Sequence, residues 1–209
     1  ILPERLTEAN ELLSKMMRPA LGIDDFDREK NVILEEIAMY KDEPYWVLYE
    51  HALEKHYGKH PLGHRVLGTD ESIKALSRDQ MKGYFDNRYS ADNTVVALAG
   101  RVDFKAAVEQ IGGLCASWLP TRVGRDRTRP RVGGGEFVVN KENITQAYMI
   151  GISSGPAADD ERRYAATLLA QVLGAADNSR LHWALIETGL AQEAQAGFDP
   201  HDGCGDSYV

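Results

Sequence analysis

The residues in this sequence best suited to chemistry are two glutamates, Glu29 and Glu36, which lie seven positions apart. Seven residues is close to two turns of an α-helix, so on a helix both carboxylates project from one stripe. Ile33, Ile37 and Tyr40 occupy or border the same stripe, which predicts that this face turns inward. A carboxylate on such a face needs a cation or hydrogen-bond donors, whereas carboxylates at its edge would pair with surface lysines. The spacing alone leaves both interpretations open.

The element that must position these two acids is a helix, and the flanking sequence predicts its limits. Asp24 or Asp25 is a suitable N-cap, because a short carboxylate side chain accepts hydrogen bonds from the free N–H groups of a first turn. An amphipathic helix is expected before it and closes ahead of Pro19. Asp42 is expected to cap a third helix, over about residues 43–57.

Three further elements follow. Ser77 and Gln80 have the spacing of a capping box and predict the start of a helix. Residues 94–99 (TVVALA) form a continuous apolar run, which predicts a central strand buried on both faces. Asp103 then predicts the start of another helix, which reaches Cys115.

Residues 119–135 are predicted to be a linker. The segment holds five arginines and four glycines without periodicity, which is typical of a solvated connection. A site for nucleic acid or another anionic partner is the alternative for these arginines. The stretch lacks aromatic residues, however, and the chain as a whole is acidic.

The part of the chain after the linker is predicted to combine strands and helices. In order, the expected elements are strands at 136–140 and 144–153, a long helix capped by Asp159 or Asp160 and ending at Gly174, a shorter helix from Ser179, and strands near 193–198 and 205–209. The sequence starts on a helical pattern and stops inside the last predicted strand. We therefore expect a fragment of a longer protein.

Composition narrows the possible functions. A chain of 209 residues, 43% of them hydrophobic, can bury the core of one large or two small domains. The 24 basic and 32 acidic residues give a net charge of −8, which argues against nucleic acid as a partner. No apolar run is long enough to predict a membrane segment. Cys115 and Cys204 are too few and too far apart for a disulfide framework or a paired-cysteine metal site.

Five histidines invite a metal interpretation that their spacing argues against. His51 and His56 lie five residues apart, about 140° out of phase on a helix, so both cannot reach one zinc ion. His60 and His64 flank a turn that contains proline and glycine, and His182 lies far along the chain. We expect these side chains to serve in packing and loop hydrogen bonds rather than in a zinc site.

Three stretches resemble the insulinase–pitrilysin family of zinc metallopeptidases, which includes the mitochondrial processing peptidases. They are EKNVILEEI (29–37), the run from HPLGHRVLGT to VALAGRVD (60–103), and LGAADNSRLHWALIETGLAQEAQA (173–196). The resemblance implies incomplete α+β repeats of the processing-peptidase type, with helices packed on a mainly antiparallel sheet. Residues 1–118 would be the C-terminal part of a first repeat, and 136–209 the N-terminal part of a second.

The same resemblance implies roles for the two glutamates. Glu36 is similar to the family's third zinc ligand. Glu29 is similar to an acidic residue that does not bind the metal but orients the residues that do. The family's other ligands and its general base come from an HxxEH motif, which does not occur in this sequence. One carboxylate does not hold a catalytic zinc ion. The resemblance thus implies Zn²⁺ in the full-length parent, and a chain that alone is inactive and binds none.

The implied function is that of a zinc metalloendopeptidase, which hydrolyses peptide bonds with metal-activated water. Its partners would be a peptide substrate and a second family subunit, in a homodimer or a heterodimer. The alternative is a non-catalytic paralogue that acts as a scaffold or holds substrate. A further hypothesis is that the two partial repeats complete one another, within the chain or by exchange between copies, with strand 94–99 sharing a sheet with strands 136–140 and 144–153.

Overall fold

The computed structural model of the protein describes residues 1–125 and 128–209. Its helices are α1 (Leu6–Met16), α2 (Ile23–Asp42), α3 (Pro44–Tyr57), α4 (Asp70–Ala75), α5 (Arg78–Arg88), α6 (Phe104–Leu114) and α7 (Arg162–Gly174). Its strands are β1 (Ile152–Gly155), β2 (Gly197–His201) and β3 (Cys204–Tyr208). The predicted linker includes residues 126 and 127, which lie outside the described residues. The expected α+β class is confirmed, with a helix-rich chain and a small antiparallel sheet.

The described residues form two compact units. The first consists of residues 1–32 and 71–125, and the second of residues 33–70 with the described residues from 128 to 209. The boundaries predicted for the partial repeats, 1–118 and 136–209, stay a prediction.

In the first unit, α1 packs against α6 around a polar contact. The amide of Asn10, only 6% exposed, donates to the Gln110 side chain at 2.9 Å, and the Gln110 amide donates to the carbonyl of Thr7 at 2.9 Å. Ala107 is buried on the same helix as Gln110. The pairing satisfies a buried amide that would otherwise cost free energy on folding.

Two helix starts in this unit match the sequence patterns. The Ser77 hydroxyl accepts from the N–H of Gln80 at 3.2 Å, and the Gln80 side chain accepts from the N–H of Ser77 at 2.9 Å, which completes the predicted capping box of α5. Asp103 accepts from the N–H of Ala106 at 2.9 Å and caps α6. Both predictions are confirmed.

In the second unit, the three strands form an antiparallel sheet with the order β1-β3-β2. Tyr208 on the central strand pairs with Ile152 on one side and with Gly197 on the other. Helix α7 packs on β2 at the end of the sheet. Its last residue, Gly174, approaches the backbone so closely that a Cβ there would lie 2.0 Å from the nitrogen of Ala196. Only glycine fits this contact without a shift of the backbone.

The predicted strand at 94–99 is the largest departure from expectation. This segment belongs to no ladder of the described chain, and Val95 is 92% exposed. Residues 136–140 are not a strand, and the run 144–153 contributes only to β1. One sheet shared by these segments within the chain is therefore excluded for the described residues, and exchange between copies stays a hypothesis. A strand needs neighbours to bond its N–H and C=O groups, and an apolar run does not reveal whether those neighbours exist in the same chain.

Smaller corrections concern helix ends. Helix α2 begins at Ile23, so Asp24 and Asp25 lie inside its first turn rather than at its cap. Helix α3 is preceded by Glu43 instead of Asp42, and the Glu43 side chain makes no capping hydrogen bond. Pro44 occupies the first helical position, where its missing N–H costs little. The helix predicted from Ser179 does begin there, since the Ser179 hydroxyl accepts from the N–H of His182 at 3.1 Å, but residues His182–Ile186 form a π-helix.

The start of helix α7 also differs from the prediction. Glu161, not Asp159 or Asp160, precedes α7, although Asp160 accepts from the N–H of Arg162 at 2.9 Å. None of the helices in the described residues is both long and apolar enough to cross a membrane.

Candidate functional site

Helix α2 carries both glutamates that the sequence analysis singled out. It runs without interruption from Ile23 to Asp42, so Glu29 and Glu36 project from one stripe, about 10.5 Å apart along the axis. The predicted helix is confirmed. Ile37 beside them is 5% exposed, yet both carboxylates are exposed. Of the two interpretations left open, a buried position of both acids is not found in the described chain, because only the part of the stripe around Ile37 is covered by this chain.

Neither carboxylate pairs with a lysine. Within the described residues, Glu29 and Glu36 take part in no ion pair or side-chain hydrogen bond. The two lysines of α2 have other partners. The ammonium of Lys30 donates to the carbonyls of Lys74 and Leu76, both at 2.8 Å, and Lys41 pairs with Asp70. Both carboxylates are therefore available to a cation that this part of the chain does not supply.

The residues present do not amount to a complete zinc site. Among the described residues, no three His, Cys, Asp or Glu side chains are grouped so that they could hold a metal ion. Glu36 can supply one oxygen ligand, whereas a catalytic zinc site takes three protein ligands. Any such site must therefore be completed by ligands other than the described residues. Glu36 alone does not form a catalytic zinc site.

Two of these histidines serve packing and loop structure. His56 is 6% exposed and packs edge-on against Tyr57, with ring centroids 4.8 Å apart. His60 accepts from the N–H of Leu62 at 3.3 Å, and its other ring nitrogen lies 2.9 Å from the carbonyl of Thr128. For His56 and His60 the predicted roles are confirmed.

A buried polar cluster in the second unit was not anticipated. The Asp206 side chain on β3 is 1% exposed; it accepts a hydrogen bond from the hydroxyl of Tyr57 at the end of α3 and lies 2.8 Å from Nε2 of His201 on β2. Burial, and then the bond to Asp206, raises the pKa of Tyr57 well above its usual range. The partners are 149 residues apart in sequence, so no local pattern could have revealed the cluster, which ties α3 to the sheet.

The same surroundings affect a second tyrosine. Burial, followed by the nearby charges of Asp199 and Asp206, raises the pKa of Tyr49 from 10.0 to about 12. The phenol is protonated in both folded and unfolded chains below pH 10. Between pH 10 and 12 the unfolded chain releases this proton while the folded chain keeps it, so stability is lost as pH rises through this window.

We expect the melting temperature of the chain to fall between pH 10 and 12, and Tyr49→Phe to make that fall shallower, since it removes one phenol that resists ionisation. Thermal melts followed by circular dichroism across this range measure the slope. Tyr84→Phe is the control, because Tyr84 is 65% exposed. A slope that Tyr49→Phe leaves unchanged would contradict the assignment.

The sequence of the chain is similar to those of known proteins. The family model described as Peptidase M16 inactive domain matches residues 75–209, more than half of the chain. An uncharacterized zinc protease of Mycobacterium leprae is 34% identical over 185 residues, which is 85% of this chain and 41% of that protein. The chain therefore spans less than half the length of this curated relative.

Solved structures share the fold. A protease from Helicobacter pylori superposes with a TM-score of 0.84 at 20% identity, over 100% of this chain and 52% of that one. A chain of complex III2 from Candida albicans superposes with a TM-score of 0.73 at 17% identity, over 100% of this chain and 52% of its own length. From the extent of the family match, the chain belongs to the M16 peptidase family.

Proposed function

We propose that this chain is part of a zinc-dependent metalloendopeptidase, to which it contributes Glu36 as a carboxylate ligand of the metal. The observation that carries the proposal is the state of the helix α2 stripe: two carboxylates share it with a buried isoleucine, and neither has a cationic partner in the described chain. A dication held by additional ligands would supply that partner, since carboxylate oxygen is a normal ligand of zinc. When bound, zinc would supply Lewis-acid activation of water for hydrolysis.

Glu29 would act as a positioning residue in this arrangement. It lies two turns before Glu36 on the same stripe, where its negative charge favours a metal cation on that side of the helix. An outer carboxylate of this kind raises the affinity of a site for its metal without touching the substrate. The name of the Mycobacterium leprae relative, a zinc protease, supports this metal and this reaction class.

The partners we propose are a peptide substrate and another family subunit. The complex III2 neighbour shows that this fold occurs in a multi-subunit assembly. A second candidate function is therefore a non-catalytic subunit that holds substrate or serves as a scaffold. It is favoured by the description of the matching family model as an inactive domain. That match begins at residue 75, after α2 has ended, so it does not extend to Glu29 or Glu36.

Metal analysis of the purified full-length parent separates the two candidates. For the peptidase we expect about one zinc ion per catalytic site, peptide hydrolysis that stops when a chelator removes the metal, and recovery when zinc is added back. A well-folded parent that holds no zinc and cleaves no peptide from a mixed peptide library would favour the non-catalytic subunit. Zinc without hydrolysis would retain the metal site and refute the peptidase.

A further inference from the structure

The second unit contains a cleft of about 310 Å³ at the C-terminal end of α2. Its walls come from α2, α3, the segment around residue 65 and the segment around residue 140. We call it the cationic cleft and define it by three cations above an apolar floor. The cations are Lys41, Arg65 and Lys141, and the floor residues are Ile37, Val47 and Leu67.

The floor is suited to aliphatic groups. Ile37 is 5% exposed, and Val47 and Leu67 are half-buried. Tyr40 lines the same cleft. Methylene groups laid on this floor would leave water, which favours binding roughly in proportion to the apolar area that is buried.

The rim carries more positive than negative charge. Arg65 pairs with Glu50 at 3.3 Å, and Lys41 pairs with Asp70. The ammonium of Lys141 differs from these: it donates to the carbonyl of Lys41 at 2.6 Å, and within the described residues it has no carboxylate partner. Three cations and the single carboxylate of Glu50 line the cleft, whereas the chain as a whole has a net charge of −8. The cleft is therefore a local site of positive charge on an acidic protein.

We propose that the cationic cleft binds a carboxylate of an extended peptide, with Lys141 as its ion-pair partner and the apolar floor beneath its methylene groups. Glutamate matches this combination, because its two methylenes separate the charge from the peptide backbone. A lysine ammonium in a half-buried cleft is a stronger partner for a carboxylate than one in open water, since screening by solvent is reduced.

The position of the cleft links it to the proposed peptidase, and this part of the inference rests on that proposed function. Ile37 and Tyr40 follow Glu36 on α2 by one and four residues, so the cleft begins within about 6 Å of Glu36 along the helix axis. A peptide held with its reacting bond near Glu36 would place a neighbouring side chain over the cleft. The cleft would then select substrates with an acidic residue at that one position.

Binding of matched peptides tests the proposal. The full-length parent carries Glu36→Gln, which prevents hydrolysis under the proposed function, and fluorescently labelled peptides contain a single glutamate at successive positions. Each peptide is compared with its glutamine counterpart by fluorescence anisotropy. We expect glutamate at one position to bind about fivefold more tightly than glutamine, a preference that Lys141→Met reduces below about twofold and added salt weakens.

Three controls make the result specific. Lys141→Arg keeps the charge and should retain the preference, which separates loss of charge from loss of folding. Lys59→Met removes an exposed lysine of the same unit that does not line the cleft, and should change nothing. Peptides with a free or an amidated C-terminus distinguish a terminal carboxylate from a side-chain carboxylate as the bound group.

The outcomes separate this proposal from the peptidase. Equal binding of glutamate and glutamine peptides, with free and amidated termini alike, would overturn the cleft assignment, even if the unmutated parent hydrolyses peptides. A preference that persists in Lys141→Met would also overturn it. A preference that depends on Lys141, together with an unmutated parent that binds no zinc and cleaves no peptide, would support the cleft and refute the proposed peptidase.

Discussion

Glu36→Gln in the full-length parent is expected to lower kcat/KM for peptide hydrolysis by at least about 1,000-fold. Loss of an outer residue that orients metal ligands typically costs 10–100-fold, and loss of a ligand itself should cost more. Glutamine preserves the size of the side chain but removes the negative charge that attracts the metal. The bound zinc, measured by elemental analysis after dialysis, should fall in parallel with the activity.

Helix α2 offers its own controls. Glu35→Gln removes an exposed carboxylate that points about 100° away from Glu36 and should leave zinc content and activity unchanged. Glu29→Gln should lie between the two, with a loss of about 10–100-fold. Equal effects of Glu35→Gln and Glu36→Gln on zinc content and activity would show that only the total charge of the helix matters. That result would contradict a role for Glu36 as a zinc ligand.

Asp206→Ala is expected to lower the free energy of unfolding of the chain by about 3 kcal/mol. Tyr57 is 2% exposed, so loss of the carboxylate leaves its hydroxyl buried without the acceptor it has now, and an unsatisfied buried group costs about 1–3 kcal/mol. The vacated volume on β3 adds a cavity cost. Urea denaturation followed by tryptophan fluorescence measures the change.

A double-mutant cycle isolates the contact itself. Tyr57→Phe should cost less than Asp206→Ala, and the two effects should not add, because either change removes the same hydrogen bond. Asp159→Ala is the control, since Asp159 is exposed and should change stability by no more than about 0.5 kcal/mol. Additive effects of Tyr57→Phe and Asp206→Ala would mean that the hydrogen bond contributes nothing to the link between α3 and the sheet.

Local signals in the sequence identified elements whose structure depends on nearby residues. Ser77 and Gln80 satisfy each other's backbone N–H groups within one turn, so their spacing was enough to locate the start of α5. The apolar pattern before Gly174 located α7 for the same reason. Residues 94–99 have an equally clear pattern, but a strand depends on partners elsewhere in the chain. Val95 therefore remains 92% exposed.

In the candidate site, too, the sequence predicted the local feature but not the contacts between distant segments. Spacing placed Glu29 and Glu36 on one helical stripe, and the structure retains that stripe. The spacing did not reveal that both carboxylates are exposed, because the burial of a side chain on α2 depends on what packs against that helix. The contact between Lys141 and the carbonyl of Lys41 joins residues 100 positions apart. Such a contact is set by the fold of the second unit, and neither the cationic cleft nor the Asp206 cluster has a local signature in the sequence.

The anomalous scattering of zinc in crystals of the full-length parent would reveal whether Glu36 is a ligand of the metal. A difference map from data collected on both sides of the zinc absorption edge locates the metal without reference to activity. We expect a peak about 2.0–2.2 Å from a carboxylate oxygen of Glu36, with Glu29 on the same side of the helix. A zinc peak elsewhere, with the carboxylate of Glu36 still in contact only with solvent, would contradict this expectation.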